Sequence, residues 1–490
     1  MKNNKRSNFN FLITKKNTIK NVHFIGIGGI SMSGIAEILF YNGYEISGSD
    51  ILSTHITKKL TNLGIKVFLN HSKKNVLNTD VIIVSSAISK NNPEIIQAKS
   101  LNIPIIPRGK MLAEIIKHKY GIAISGTHGK TTTTAMIFSI FLKSKFNPTI
   151  INGGYIKEIN NNIKLGTSPY YIIEADESDA SLLYLKPVVI VITNINNDHL
   201  ENYNKKFENL KSTFIKFIQN LPFYGTAIVC IDDNNIKSIL PLIRCNVITY
   251  GFSSNSDIRI DKYKQLKYSS YFIIIRRNKP ILKIVLNMPG KHNALNATAA
   301  IAIATKENIS DDNILKSLRN FQGIERRFEL CGKFSINNLS HKSNTITIIK
   351  DYGHHPSEIS ASISTAKSGW PNKKLIMIFQ PHRYTRTHYL FEQFIETLLK
   401  VDELIILKEY SAHEKKILGS DSISLYKKLI QYQKISVTLI SHYTRMFSIL
   451  LHKLSGNDLL LVQGAGDINF TVNQYIIKNL KKLKKNNFYD

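Results

Sequence analysis

Short runs rich in Val, Ile and Leu recur along this chain with amphipathic stretches between them, and that alternation restricts its fold more than any other feature. An apolar run between two helical segments needs cover on both faces, which a parallel sheet wrapped by crossover helices provides. The pattern occurs three times over. The first set is NVHFIGIG, YEISGSD, IKVFL, VIIVSSA and IPIIPR. The second is YGIAIS, YYIIEAD, VVIVITNI and TAIVCI, then YFIIIRR and ILKIVLN flanking Asn278-Lys279 as a hairpin, then helical stretches from Asn293 and from Asp311. The third is TITIIKDY, KLIMIFQ, ELIILKEY, SVTLIS and DLLLVQGAG. At about 100 to 200 residues per domain, a chain of 490 residues accommodates three such sets as three domains. No connecting stretch is Pro-rich or low in complexity, so short hinges are expected between them.

Composition removes several classes of function. Three cysteines, Cys230, Cys245 and Cys331, are too few and too scattered for a disulfide framework or a four-thiolate zinc site, and read as ordinary thiols. No run approaches the roughly 18 apolar residues that span a bilayer, and the Asn- and Lys-rich start has no apolar core of a signal peptide. No membrane insertion is expected, and a soluble, cytoplasmic protein with a loose N-terminal tail is. The formal charge of +30 invites a nucleic-acid reading, but the lysines are spread along the whole chain beside an excess of Asn and Ile. A diffuse bias of this kind looks like drift toward A/T-rich codons, and no nucleic-acid partner is expected.

Ser125-Gly126-Thr127-His128-Gly129-Lys130-Thr131-Thr132 lies between the apolar strand GIAIS and a helix-like stretch. Small residues let backbone N–H groups curl around phosphates, the helix N-terminus adds positive potential, the lysine supplies charge and the following hydroxyl can ligate magnesium. The usual phosphate-loop pattern has a glycine where this chain has Ile124, so the loop is a GTHGKT variant. The fold expected is therefore α/β in three domains. Residues 18–118 form a Rossmann-like N-terminal domain, 119–325 a central P-loop ATPase domain with a parallel sheet, and 326–490 a Rossmann-like C-terminal domain.

Gly26, Gly28, Gly29 and Ser31 follow the strand VHFI, and Asp50 ends the next strand, which imitates a dinucleotide fingerprint with its acid about 20 residues on. Ser31 replaces the third glycine, and the second nucleotide loop at Gly126 argues against a plain dehydrogenase. A glycine turn at a helix N-terminus accepts any pyrophosphate, that of a uridine diphosphate sugar included. Glu174-Ala-Asp176-Glu177-Ser-Asp179 and Asp198-His199 both follow apolar strands, at the carboxyl ends where ligands collect in open α/β sheets. Glu174 and His199 can hold magnesium against β- and γ-phosphates. The imidazole can instead bond a phosphate oxygen or simply pack, and an acidic cluster after a strand is by itself more often a solvated turn or helix cap.

GTHGKTTTT, EADESDAS, TNI..DH, Pro289-Gly290-Lys-His292-Asn293-Ala-Leu-Asn296, FQGIERRFE, Asp351-Tyr352-Gly353-His354-His355-Pro356 and FQPHRYTRT together resemble the ordered motif series of the muramyl ligases. With HFIGIGGISMSGIAE at the front and LVQGAGDI at the back, the likeness runs from about residue 22 to residue 470. The last two of the seven strings are similar to those of members that add L-alanine. The resemblance implies a ligase of peptidoglycan precursor synthesis with ATP and Mg2+ as cofactors and UDP-N-acetylmuramate and L-alanine as substrates. In that family the lactyl carboxylate attacks the γ-phosphate, and the amine of the amino acid displaces phosphate from the acyl phosphate. Such chemistry needs positioning and neutralisation of negative charge rather than a covalent nucleophile.

The resemblance further implies that Lys130, Glu174, His199 and Arg327 are catalytic, with Thr131, Glu174 and His199 as the metal ligands. ATP would be held by Gly126, Thr127, His128, Gly129, Lys130, Thr131 and Thr132, with His292, Asn293 and Asn296 near adenine, Arg327 at the γ-phosphate and Asp351 at the ribose. Asn293 as a helix N-cap and Arg327 as a surface ion pair are the plainer alternatives. Gly28, Gly29, Ser31, Asp50, Ser86 and Arg108 would contact the UDP-sugar. Tyr352, His354, His382, Arg383 and Arg386 would form the L-alanine pocket, where a guanidinium fork can grip a carboxylate. Lys350 and Lys408, His413 in KEYSAHE, and the Asn residues of NINNDH depart from the family pattern. The carbamoylated lysine of other members would fall near Phe214, with Lys211 and Lys216 only nearby, and is not expected. A relative that attaches a murein peptide, a ligase that uses glycine or serine, and a nucleotide-binding scaffold without turnover remain alternatives. An acyl phosphate must be shielded from water, so a large rotation of the third domain on ATP binding is expected.

Overall fold

The computed structural model describes residues 19–198, 200–335, 345–412 and 414–481. The first sheet contains β1 (Asn21–Ile25), β2 (Glu45–Ser49), β3 (Lys66–Phe68), β4 (Val81–Val84) and β5 (Ile105–Pro107) in the order β3-β2-β1-β4-β5. Its pairings are all parallel. The order reverses at β1, so a crevice opens beyond the carboxyl ends of β1 and β4, the usual ligand position in such sheets. Ile25, Val76, Ile82, Ile95 and Ala98 pack together in its core.

The second sheet has ten strands: β6 (Tyr120–Ser125), β7 (Thr149–Ile156), β8 (Asn161–Lys164), β9 (Tyr170–Glu174), β10 (Val189–Ile192), β11 (Thr226–Cys230), β12 (Asn246–Gly251), β13 (Ile258–Leu266), β14 (Ser269–Arg276) and β15 (Leu282–Leu286). Their order is β15-β14-β13-β12-β11-β10-β6-β9-β7-β8. β6 lies between β10 and β9, parallel to both, which sets the strand ends bearing Ser125, Glu174 and Ile192 side by side. The helix Lys130–Lys143 is buried from Thr131 to Phe141, which anchors the loop that precedes it. The expected hairpin is present, with β14 and β15 adjacent and Asn278 at φ 54°. β7, β8, β12 and β13 were not expected from the apolar runs.

The third sheet is β16 (Glu329–Ser335), β17 (Thr345–Asp351), β18 (Lys374–Phe379), β19 (Glu403–Leu407), β20 (Ser436–Ile440) and β21 (Asn457–Gln463), ordered β16-β17-β21-β18-β19-β20. It is parallel except for the edge strand β16, which runs antiparallel to β17 with an irregularity between Leu330 and Gly332. Ile349, Met377, Leu404, Ile406, Leu459 and Leu461 face one core, and Ile348, Ile376, Ile378, Ile405, Leu460 and Val462 face the other. Both faces are covered, which is why these strands read as unbroken apolar runs.

By contact the chain groups into two compact units, one of Met1–Asp261, Ile274–Leu282 and Leu295–Leu318, the other of Lys262–Ile273, Lys283–Ala294 and Arg319–Asp490. The three cysteines are free thiols. Among the described residues no helix is long and apolar enough to cross a membrane.

Candidate active site

In the first unit the loop after β6 takes its shape from two glycines. Gly126 (φ +128°) and Gly129 (φ +85°) adopt backbone that L side chains avoid, and a Cβ would lie 2.2 Å from Thr193 Oγ1 at the first and 2.5 Å from Asn296 Oδ1 at the second. The exit of β10 braces this loop. Thr127 N–H donates to Asn194 O (3.0 Å), and Asn196 N–H donates to Thr127 Oγ1 (2.8 Å). His128 N–H donates to Asn194 Oδ1 (2.9 Å), while Thr193 Oγ1 and Asn194 Nδ2 donate to His128 O (2.6 and 2.9 Å). Thr132 is buried in the first turn of the helix, and Asn296 Oδ1 accepts from Thr133 Oγ1 (3.2 Å).

Lys130 turns its ammonium back onto the loop, donating to Gly126 O (2.7 Å) and Thr127 O (3.1 Å) and pairing with Glu177 Oε2 (2.7 Å). Burial would lower its pKa, but the carboxylates of Glu177, Asp176 and Glu174 outweigh that and hold it above the ordinary lysine value. Burial, with Asp176 beside it, pushes the Glu177 carboxyl up to about 7 against the pull of Lys130. Glu174 ends β9, where Thr131 Oγ1 donates to Oε1 (3.1 Å) and Gly153 N–H donates to Oε2 (2.8 Å). A Cβ on Gly153 would lie 2.7 Å from each of those oxygens. His199 lies outside the described residues, and among those described no group of three or more His, Cys, Asp and Glu could hold a metal. Thr131 and Glu174 are hard oxygen donors in contact, as a magnesium site built partly from substrate oxygens and water requires.

The glycine turn of the first sheet belongs to the same unit. Gly28 N–H donates to Asp50 Oδ2 (2.9 Å), Leu52 N–H donates to Oδ1 (3.1 Å), and a Cβ on Gly28 would meet Oδ2 at 2.8 Å. Gly29 caps the helix Ile30–Tyr41 without a side-chain acceptor, and Ser31 sits in its first turn. Ser86 is exposed beyond β4. These five residues rim the crevice at the reversal of strand order. Arg108 opens the next helix beyond β5, but its guanidinium goes to Asp179 (3.4 Å) and Asp176 (3.6 Å) of the acidic turn. Beneath Asp50, the Glu94 carboxylate is fully buried and takes Ser49 Oγ (2.6 Å), Asn75 Nδ2 (2.6 Å) and His71 Nδ1 (3.1 Å), with His23 Nε2 at 3.6 Å. Burial alone would raise its pKa; His23, Ser49 and Asn75 reverse that and hold it at about 2.

The second unit collects another group. Asp351, at the end of β17, accepts from Phe328 N–H (3.1 Å), Tyr352 N–H (3.0 Å), Gln463 Nε2 (3.2 Å) and the Ser362 hydroxyl. Arg326 and Arg327 place their guanidinium carbons 4.7 and 5.0 Å from the centre of the Tyr352 ring. Arg327 also pairs with Glu358 at 3.7 Å, so an acid partner exists as the ion-pair alternative had it. The enclosed His292 imidazole is held below its usual pKa by burial and by Arg327, against Asp351 and Glu358. Asn293 Nδ2 donates to Pro289 O (2.7 Å), two residues ahead of the helix Lys291–Lys306, so Asn293 lies within the first turn of that helix and not at its N-cap.

Tyr352, His354 and His382 form a chain of rings, 5.5 Å and 5.7 Å between centroids, and His382 stacks on Tyr410 at 5.4 Å. Arg386 is buried with Nη1 at 3.3 Å from His382 Nδ1, whereas Arg383 is exposed and 3.8 Å from Glu414. Burial and the charges of Arg386, Arg383 and Arg326 push the His382 pKa down to about 4. Lys350 is buried and bonds Asn473 Oδ1, Lys408 is exposed and offers its carbonyl to Gln380, and His413 lies outside the described residues. Asn196 meets Thr127 through its backbone, so its side chain is free to vary there. Phe214, near which the carbamoylated lysine of other members would fall, is a fully buried core residue.

Sequence reasoning did not single out Glu177, Thr193, Asn194 or Gly153. The first three stand inside the quoted strings EADESDAS and TNI, so their signal was present; Gly153, in an Asn-Gly-Gly run that reads as a turn, gave none.

A phosphate loop, a strand-end acid in contact with the hydroxyl after its lysine, and a glycine turn at a strand-order reversal define an α/β nucleotide-binding protein of the phosphate-loop class. The chain belongs to the Mur ligase family: models of the Mur ligase family catalytic domain, the Mur ligase middle domain and the Mur ligase glutamate ligase domain match residues 21–120, 124–304 and 326–466. It is 60% identical over 484 residues to the UDP-N-acetylmuramate–L-alanine ligase of Buchnera aphidicola subsp. Baizongia pistaciae (strain Bp), covering 98% of this chain and 100% of that one. A crystal structure of the UDP-N-acetylmuramate-alanine ligase of Thermotoga maritima matches with a TM-score of 0.79 at 28% identity, covering 94% of this chain and 99% of that one. The murein peptide ligase of Psychrobacter arcticus 273-4 shares the fold, with a TM-score of 0.69 at 19% identity over 94% of this chain and 98% of that one.

Proposed function

We propose that this chain is an ATP-dependent ligase that joins L-alanine to the lactyl carboxylate of UDP-N-acetylmuramate through an acyl phosphate, in peptidoglycan precursor synthesis. The observation that carries the reading is the likeness to ligases of that name over 98% of the chain. The proposed domains are residues 18–118 for the UDP-sugar, 119–325 for ATP and 326–490 for the amino acid.

Gly126 to Thr132 cradle the ATP phosphates and Lys130 bridges the β- and γ-phosphates. His292, Asn293 and Asn296 hold adenine, Arg327 reaches the γ-phosphate, and the ribose takes Asp351 by displacing one of its four present donors. Gly28, Gly29, Ser31, Asp50, Ser86 and Arg108 hold the UDP-sugar. Thr131, Glu174 and His199 hold Mg2+, which when bound neutralises charge on the phosphate oxygens. Tyr352, His354, His382, Arg383 and Arg386 receive L-alanine. A neutral His382 beside the Arg386 guanidinium leaves the charge that meets the carboxylate of L-alanine to the arginines.

Phosphate release measured with ATP, UDP-N-acetylmuramate and L-alanine tests this directly. Release is expected only when all three are present, and glycine or serine should compete weakly. Binding of ATP without turnover, or release independent of L-alanine, would overturn it.

A further inference from the structure

The Lys130 ammonium donates hydrogen bonds to Gly126 O (2.7 Å) and Thr127 O (3.1 Å), and it is ion-paired with Glu177 Oε2 at 2.7 Å. A phosphate that comes to this lysine competes with those oxygens, and the carboxylate is the charged competitor among them. We propose that Glu177 is a positioning residue which parks the Lys130 ammonium on its loop, and that ATP binds by exchanging this carboxylate for its own phosphate oxygens. The inference rests on the ligase reading of Lys130 as an ATP-binding residue.

Glu177 is built to stay where it is. Its side chain is 1% exposed, and its backbone carbonyl accepts from the Tyr203 hydroxyl and from Ala180 N–H (3.1 Å). The flanking acids are occupied elsewhere, Asp176 and Asp179 by Arg108 and by the N–H groups of Ser178 and Ser181 (3.0 Å each). Among the described residues no side chain donates a hydrogen bond to the Glu177 carboxylate, which leaves the ion pair with Lys130 to neutralise it. When Lys130 leaves, the carboxylate loses its counter-ion in a buried place, and that cost is set against the binding of nucleotide. In return the lysine is already desolvated and aimed along the loop, so the exchange starts from an ordered donor.

Glu177→Gln keeps the shape and removes the charge. Titration calorimetry with ATP, with and without magnesium, should show binding about tenfold tighter in both conditions, the scale of one charged competitor removed. In turnover the KM for ATP should fall without a rise in kcat, and Glu177→Asp should return part of the way to the wild-type affinity. Thermal unfolding without nucleotide should show Glu177→Gln and Lys130→Met to be strongly non-additive, since either change breaks the same pair. If Glu177→Gln does not fold, Glu177→Ala supplies the comparison without the carboxylate. Unchanged or weaker ATP binding overturns the proposal, and so does additive stability. A loss of affinity seen only with magnesium also overturns it, because Glu177 would then hold the metal. A wild-type chain that binds no ATP would sink the ligase reading and the exchange together, whereas ATP binding that Glu177→Gln leaves unaltered would sink the exchange alone.

Discussion

Replacing Glu94 by glutamine should loosen the first sheet at neutral pH and matter much less in acid. The carboxylate is fully buried against Ser49, Asn75, His71 and His23, and its pKa is held at about 2 against an ordinary 4.5. At about 1.4 kcal/mol per unit, that difference contributes about 3 kcal/mol of stability at pH 7. Because the folded value is the lower one, the contribution is complete above 4.5 and is lost as pH falls through that value toward 2. Roughly half of it survives at pH 3. Glutamine imitates the protonated acid, so the variant should lack this term at every pH. Amide hydrogen exchange of β1 and β2 in the full chain reads the difference where reclosing outruns exchange. Glu94→Gln should speed the exchange about 100-fold at pH 7 and about tenfold at pH 3. An acceleration that is small at pH 7, or equal at both, would refute the reasoning.

Gly28→Ala would bring a Cβ to 2.8 Å from Asp50 Oδ2 and dislodge that carboxylate, so the KM for UDP-N-acetylmuramate should rise about tenfold while the KM for ATP holds; equal changes in both would show general damage instead. His382, held at about 4, stays neutral from pH 8 to pH 6, and it becomes charged only as pH falls through that lower value. A pH titration of its ring signals by NMR should therefore show no midpoint near 6.5, and one found there would contradict the burial described.

In all three sheets the strands with unbroken apolar runs were legible, because cover on both faces demands such runs, as in Val189–Ile192 and residues 404–407. β13 escaped notice because its burial alternates along IRIDKYKQL, leaving Lys262 and Lys264 on an open face. β7 was hidden by the Asn-Gly-Gly within TIINGGYI, although the same glycine gives Glu174 its backbone donor. β16, a polar edge strand interrupted near Gly332, resembles a turn in composition. For the site, spacing marked the lysine loop and Asp50, since glycine and charge recur there for steric and electrostatic reasons. What spacing left open was pairing: that Arg108 would meet the acidic turn, or Lys130 would meet Glu177, depends on strand order that no local pattern encodes.

Several of the contacts that shape the nucleotide loop and the strand-end acids are made by main-chain atoms. Asn194 O, the N–H groups of Asn196, Gly153 and Gly28, and the carbonyl of Glu177 all serve in this way. Main-chain groups are the same whatever residue carries them. A chain can therefore fill its surface with lysine and asparagine, and even change the fourth residue of TNIN, while the architecture beneath its chemistry keeps the same atoms in place.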